Sequence, residues 1–166
     1  NLMNPNSGTY RTIAGNAEAV FTEKSSKFLA FAFPVRNEDE IRRHLQQIRE
    51  LHPKARHWCY AYRLGSEGTL YRQDDDGEPA GTAGKPILGQ IDSFGLTNIL
   101  VAVVRYFGGI LLGTSGLIKA YRSSARECLD SAEKTEKKIL CRYQIRTSDE
   151  NMYKILSSVK NRQYMH

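Results

Sequence analysis

Apolar and polar positions along the chain alternate between two periods, and the changes of period mark the elements. Between Glu18 and Val35 the β-formers Phe28, Leu29, Phe31 and Phe33 predict one or two strands, which Pro34 ends. Asn37 then opens a helix, with Glu40 three residues on as its capping-box partner. Ile41, Leu45, Ile48 and Leu51 recur at helical spacing, so this helix has one apolar face and stops at His52-Pro53. From His57 to Leu64, Trp58, Tyr60 and Tyr62 alternate with Cys59, Ala61 and Arg63, a strand pattern. Gly65 to Gly68 forms a turn, and Thr69 to Gln73 returns as the hairpin partner. Further along, the pattern predicts a short helix over Ile87 to Phe94 closed by Gly95. An aliphatic strand over Asn98 to Val104 follows, its composition that of a strand buried on both faces. Leu117, Ala120, Tyr121, Ser124 and Cys128 mark a last amphipathic helix, capped by Thr114 or Ser115.

The two ends read differently. Residues 1–15, rich in Asn, Gly, Ser and Thr, read as a flexible leader, and Glu133 to Lys138 as a charged linker. A strand (139–146) and a helix (149–160) follow, too little chain to bury a core of their own. The expected organisation is therefore a main domain over 16–131 and the start of a second module over 132–166.

Composition narrows the class. A chain of 166 residues with 40% hydrophobic and 25% charged residues is globular rather than disordered or fibrous. The longest aliphatic run, Ile99 to Val104, is far short of the roughly 20 residues a membrane helix needs. The first residues, Asn1 to Asn6, lack the basic start and apolar run of a secretory signal. No membrane partner and a cytoplasmic location are expected. Cys59, Cys128 and Cys141 cannot all pair with one another and show no CxxC spacing, which reads as reduced thiols. The formal net charge of +6 favours a polyanionic partner, nucleic acid above all.

Two glycine loops, at 74–86 and 105–116, hold most of the candidate chemistry. Neither is a P-loop. Pro86 follows Gly84-Lys85 where Ser or Thr belongs, and Thr114 stands after Gly113 where Lys belongs. No GxGxxG supports a dinucleotide site. The second loop runs from a buried strand into a helix whose first turn exposes unpaired N–H groups. Gly113, Ser115 and Gly116 allow close backbone approach to an anion, with Lys119 and Arg122 one and two turns inside. The alternative is that these glycines only permit tight turns. In the acidic loop, Asp75, Asp76 and Glu78 miss the EF-hand register, since Gly77 at position six puts Arg72 at one and Ala83 at twelve. A two-carboxylate Mg²⁺ site and a self-bonded turn both stay open. Three thinner candidates are a His57–Cys59 thiolate pair, a zinc set of His52, His57 and Cys59, and an RNA-stacking surface of Trp58, Tyr60, Tyr62, Arg63, Tyr71 and Arg72. For each, ordinary core or turn roles are the competing reading.

Taken together, the loops resemble a known signature. Asp75-Asp76-Gly77-Glu78-Pro79 with Gly81-Thr82-Ala83-Gly84-Lys85-Pro86, then Arg105-Tyr106-Phe107-Gly108-Gly109 and Leu112-Gly113-Thr114-Ser115-Gly116-Leu117, resemble the Impact/YigZ family. Lys27 to Ala30, Pro34-Val35, His52, Ala55 to His57 and Ala61-Tyr62 fit the same pattern, so the resemblance covers about residues 18–130. Ser115, where the family often has Gly, and Ala80, where Ser is common, depart from it without altering a charge. The resemblance implies an α+β chain: a two-layer α/β sandwich, its fold similar to a ribosomal-protein and elongation-factor domain, followed by an incomplete ferredoxin-like module. It also implies kinship with eukaryotic translation regulators that bind a large ribosome-associated protein. That binding restrains a kinase acting on an initiation factor.

The expected function is a non-enzymatic binding protein linked to translation, contacting RNA or a ribosome-associated protein, with no cofactor. Arg105, Lys119 and Arg122 with the Gly113, Ser115 and Gly116 backbone are the expected anion contacts. Asp75, Asp76, Glu78, Thr82 and Lys85 form a structural loop, latched to its neighbour through Lys85 or Arg105. The alternative is a hydrolase acting on a small anionic or peptide-like substrate, in which those acids hold Mg²⁺ or act as general base and the Gly113–Gly116 amides hold an oxyanion. A third reading makes Arg42, Arg43 and Arg49 a protein-docking face.

Overall fold

The computed structural model describes residues 8–139. Five strands form one antiparallel sheet in the order β2 (Ala17–Glu23), β3 (Ser26–Pro34), β6 (Ile99–Tyr106), β4 (His57–Leu64), β5 (Leu70–Asp74). β6 sits at the centre, with Ala30 opposite Val103 on one side and Cys59 opposite Val103 on the other. Its unbroken aliphatic run is explained by that position: from Ile99 to Val104 every residue is fully buried. Alternate residues feed two cores. Ile99, Val101 and Val103 join Phe28, Ala30, Cys59 and Ala61 beneath α2 (Gly84–Ser93) and α3 (Gly113–Ser131). Leu100, Ala102 and Val104 join Tyr60, Tyr62 and Leu64 beneath α1 (Glu38–Leu51).

Helices therefore lie on both faces of the sheet, giving helix–sheet–helix layering in place of the two layers expected. The reason is the sheet's period of two: apolar residues on both sets of β6 positions demand cover on both sides. α1 follows its sequence closely. Asn37 Oδ1 accepts the Glu40 N–H at 2.9 Å, while the Glu40 carboxylate accepts the Arg36 N–H at 2.8 Å.

Other expectations are corrected. The leader is in part a strand: β1 (Thr9–Ile13) pairs antiparallel with β7 (Lys134–Lys138), the segment read as a charged linker. Polar composition hid this. Ile13 and Thr12 are buried under the first core, and the Thr97 N–H donates to the Arg11 carbonyl at 2.9 Å, partners far away in sequence. α2 begins at Gly84, before the expected Ile87, with Pro86 tolerated in its first turn. α3 begins at Gly113, whose φ of +73° turns the chain into the helix. Leu112 holds the cap position and makes no side-chain cap bond, so neither Thr114 nor Ser115 is the cap. Ile139 donates its N–H to the Gly8 carbonyl; the rest of the strand expected over 139–146, the helix over 149–160 and the ferredoxin-like module lie outside the described residues. No helix among the described residues is long and apolar enough to cross a membrane.

Candidate functional site

The acidic loop folds back on itself first. Asp75 receives three backbone N–H groups: Gly84 at 2.9 Å and Ala83 at 3.1 Å on Oδ1, and Gly81 at 3.0 Å on Oδ2. It thereby caps α2, whose own cap residue, Ala83, has no side chain able to do so. Asp76, at a φ of +42°, accepts the Trp58 N–H at 2.8 Å and lies 3.6 Å from Arg49 on α1. Thr82 is buried and donates its hydroxyl to the Pro79 carbonyl at 2.5 Å.

Glu78 carries the loop into the core. It is buried, yet Arg105 Nη1 donates to both its carboxylate oxygens at 2.9 Å, and the Tyr121 hydroxyl donates to Oε2 at 2.5 Å. His57 Nε2 stands 3.3 Å from Oε1, while its Nδ1 lies 2.8 Å from the Asp76 carbonyl. A buried carboxylate in this setting needs such compensation, because an unpaired charge in a low-dielectric core is very costly. The Cys59 thiol extends the network, 3.3 Å from the Tyr121 hydroxyl and 3.1 Å from the Asp75 carbonyl. Burial pushes the Cys59 thiol and the Tyr121 phenol far up, with neighbouring carboxylates adding to it, so both groups stay protonated.

Beside this network lies a cleft of about 360 Å³ between the two glycine loops and the start of α3. Arg56, His57, Glu78 and Arg105 supply its polar wall; Pro79, Phe107, Leu111 and Leu112 its apolar one; Gly113, Thr114 and Leu117 its helical end. Arg56 and Arg105 lie 5.0 and 5.6 Å from the centre of the Phe107 ring, two guanidinium groups on one aromatic. Arg105 is only 6% exposed, and its Nε has no hydrogen-bond partner.

The expected anion contacts divide. Arg105 and Gly113 line the cleft, whereas Ser115 and Gly116 lie in the first turn of α3 outside its lining. Lys119 and Arg122 are exposed on α3 and also outside the cleft. Lys85 is exposed on α2 and, among the described residues, forms no ion pair with the acidic loop; the latch between the loops runs through Arg105 alone. Among the described residues no three His, Cys, Asp or Glu side chains are arranged to hold a metal ion. The zinc set is not assembled: His52 bonds the Tyr106 hydroxyl at 2.7 Å against the α1-side core, and Cys59 belongs to the other. Nor is Cys59 a thiolate partner for His57, given its burial and raised pKa.

The stacking surface is also corrected. Tyr60 and Tyr62 are 9% and 7% exposed and belong to the α1-side core, and Arg63 is held by Asp92 at 2.6 Å. Of the arginines on α1, Arg42 pairs with Asp39, and Arg49 lies 5.2 Å over Trp58. Sequence reading missed Arg56, Phe107 and Tyr121 as site residues. Tyr121 carried a physical signal: a hydroxyl on the apolar face of a helix needs a buried acceptor.

Comparison with known proteins gives consistent results. The model of the Impact N-terminal domain matches residues 24–129. An "IMPACT family member in pol 5′ region" from Thermus thermophilus is 49% identical over 109 residues, covering 66% of this chain and 58% of that protein. "IMPACT family member YigZ" from Escherichia coli is 39% identical over 122 residues, covering 72% of this chain and 60% of that protein. The chain thus spans about three fifths of the length of the curated relatives it matches. A solved structure described as a hypothetical protein superposes with a TM-score of 0.76 at 36% identity, covering 79% of this chain and 65% of that one.

Proposed function

The chain belongs to the Impact N-terminal domain family, and from that premise we propose that it is a non-enzymatic, cytosolic binding protein of translation regulation. It contacts RNA or a ribosome-associated protein through the basic surface around the second glycine loop and α3. The observation that carries the reading is that each acid of the 75–78 loop is bonded to a donor inside the fold. Asp75 holds three amides, Asp76 the Trp58 amide, and Glu78 the Arg105 guanidinium. Cys59 and Tyr121 are held protonated, which leaves neither as a nucleophile or base. Lys119 and Arg122 face solvent one turn apart on α3, whose first turn carries no acid.

The alternative, a Mg²⁺-assisted hydrolase, needs Asp75, Asp76 and Glu78 to offer free lone pairs to one point. Each is instead turned to a different part of the fold, so nothing favours that reading.

Binding to a fluorescent single-stranded RNA, titrated over a range of salt, tests the proposal beside a ribosome pull-down. The Lys119→Glu/Arg122→Glu double variant weakens RNA binding and lowers the log–log salt slope by about 1.4, the share of two lost contacts to single strands. Unchanged affinity and slope, with no ribosomal protein retained by the wild type, overturn the reading.

A further inference from the structure

We propose that the cleft between the glycine loops is a separate small-molecule site that takes a phosphate monoester of mononucleotide size. Three observations converge on it. The first is electrostatic. Arg56 and Arg105 are brought to the same Phe107 ring, but only Arg105 has a carboxylate, Glu78. Among the described residues Arg56 is exposed with no acid in reach, so the cleft keeps an uncompensated positive charge. Two guanidinium groups held at one ring repel each other, and an anion bound in the cleft they line offsets that repulsion.

The second is the supply of donors. Arg105 lines the cleft and spends Nη1 on both oxygens of Glu78; its Nε bonds to nothing but is enclosed by protein, so a cleft ligand meets the rest of the guanidinium. Gly113 and Thr114 line the same cleft at the start of α3, which has no side-chain cap, so its first turn keeps N–H groups without a capping partner. Guanidinium, hydroxyl and amide donors around one cleft suit the three oxygens of a terminal phosphate better than the two of a carboxylate.

The third is the apolar wall. At about 360 Å³ the cleft exceeds the needs of an inorganic ion and falls in the range of small-ligand pockets. Pro79, Phe107, Leu111 and Leu112 supply the cleft's apolar lining. Leu111, at its mouth, is 83% exposed, and Ile110 beside it 51%. Such a lip of large apolar side chains held in water fits a ligand whose body lies against it. The cleft does not include Lys119 or Arg122, so this site and the RNA or protein contact proposed above can fail separately.

Isothermal titration calorimetry with AMP, adenosine and inorganic phosphate tests the proposal on the full chain. AMP binds, phosphate competes with it, and adenosine binds at least about tenfold more weakly. Arg56→Glu, at an exposed position that does not threaten folding, lowers AMP affinity by about tenfold or more. Leu111→Ser weakens AMP while leaving phosphate unchanged, and Lys119→Glu/Arg122→Glu leaves AMP binding as it was. The proposal is overturned by an absence of heat with AMP up to about 10 mM, by AMP binding no tighter than phosphate, or by AMP affinity indifferent to Arg56→Glu.

Discussion

Arg105 and Glu78 form a buried ion pair in which one guanidinium nitrogen, Nη1, is 2.9 Å from both carboxylate oxygens, with neither side chain more than 7% exposed. The pair joins the acidic loop to the end of the central strand. It is also why the two glycine loops, distant in sequence, line one cleft.

Breaking this pair on one side strands a charge. Glu78→Ala and Arg105→Ala each cost about 3–5 kcal/mol in urea-induced unfolding, because the remaining group is buried without a partner. Replacing both, as Glu78→Gln with Arg105→Met, restores a good part of the loss. A double variant as unstable as the sum of its single variants would show that the two side chains do not act as a pair.

Two glycines respond to alanine in opposite directions. A Cβ on Gly108 would lie 2.1 Å from the Ser25 carbonyl carbon, a backbone atom that cannot step aside. Gly108→Ala therefore loses about 3 kcal/mol, at the upper end for an overpacked site. At Gly89, inside α2, a Cβ meets nothing within 4 Å, and Gly89→Ala gains about 0.5–1 kcal/mol from helix propensity. Thermal melts of the two variants, moving to opposite sides of the wild type, check both.

Removing the remote cap of α2 tests the role given to Asp75. Asp75→Ala frees the N–H groups of Gly81, Ala83 and Gly84 and costs about 2 kcal/mol. Hydrogen exchange locates the loss: the amides of Ala83 and Gly84 exchange faster in the variant, while those of β3 keep their protection.

His44 gives stability a pH dependence. Its ring stacks on Phe33 at 4.1 Å, and burial, the largest cause, holds its pKa below the ordinary value, with Arg43 acting in the same direction against Glu40. The unfolded chain then takes up the proton first, at about 6.5. The contribution of this group is complete above that pH and is lost as pH falls through the unfolded and then the lowered folded value. His44→Phe keeps the stacked ring without the titration. Comparing wild type and variant by denaturant unfolding at pH 7.5 and 5.5, the drop in stability is smaller for His44→Phe.

Local chemistry was readable without coordinates wherever the deciding partner lay within a few residues. Asn37 and Glu40 announced the start of α1, Pro53 its end, and the aliphatic run at Ile99 to Val104 a strand with no exposed face. The paired loop signatures were specific enough to identify the family. The boundaries that failed were set from outside the local window. Asp75 moved the start of α2 by reaching across its own loop, and Gly113 moved the start of α3 through a backbone angle that no side-chain cap signals.

Glycine and charge content, strand and helix periods, and the family were fixed by residue identities and spacings, because those act over one turn or one pleat. Tertiary structure decided the rest. Thr9–Ile13 becomes a strand only because Lys134–Lys138 lies alongside it. Arg105 is drawn inward by Glu78 and Tyr121 makes its hydrogen bond there, while Lys119 and Arg122, on the same basic stretch, stay in water. A sequence records which groups carry charge. Which charges are buried together and which face solvent depends on desolvation and pairing across the folded chain.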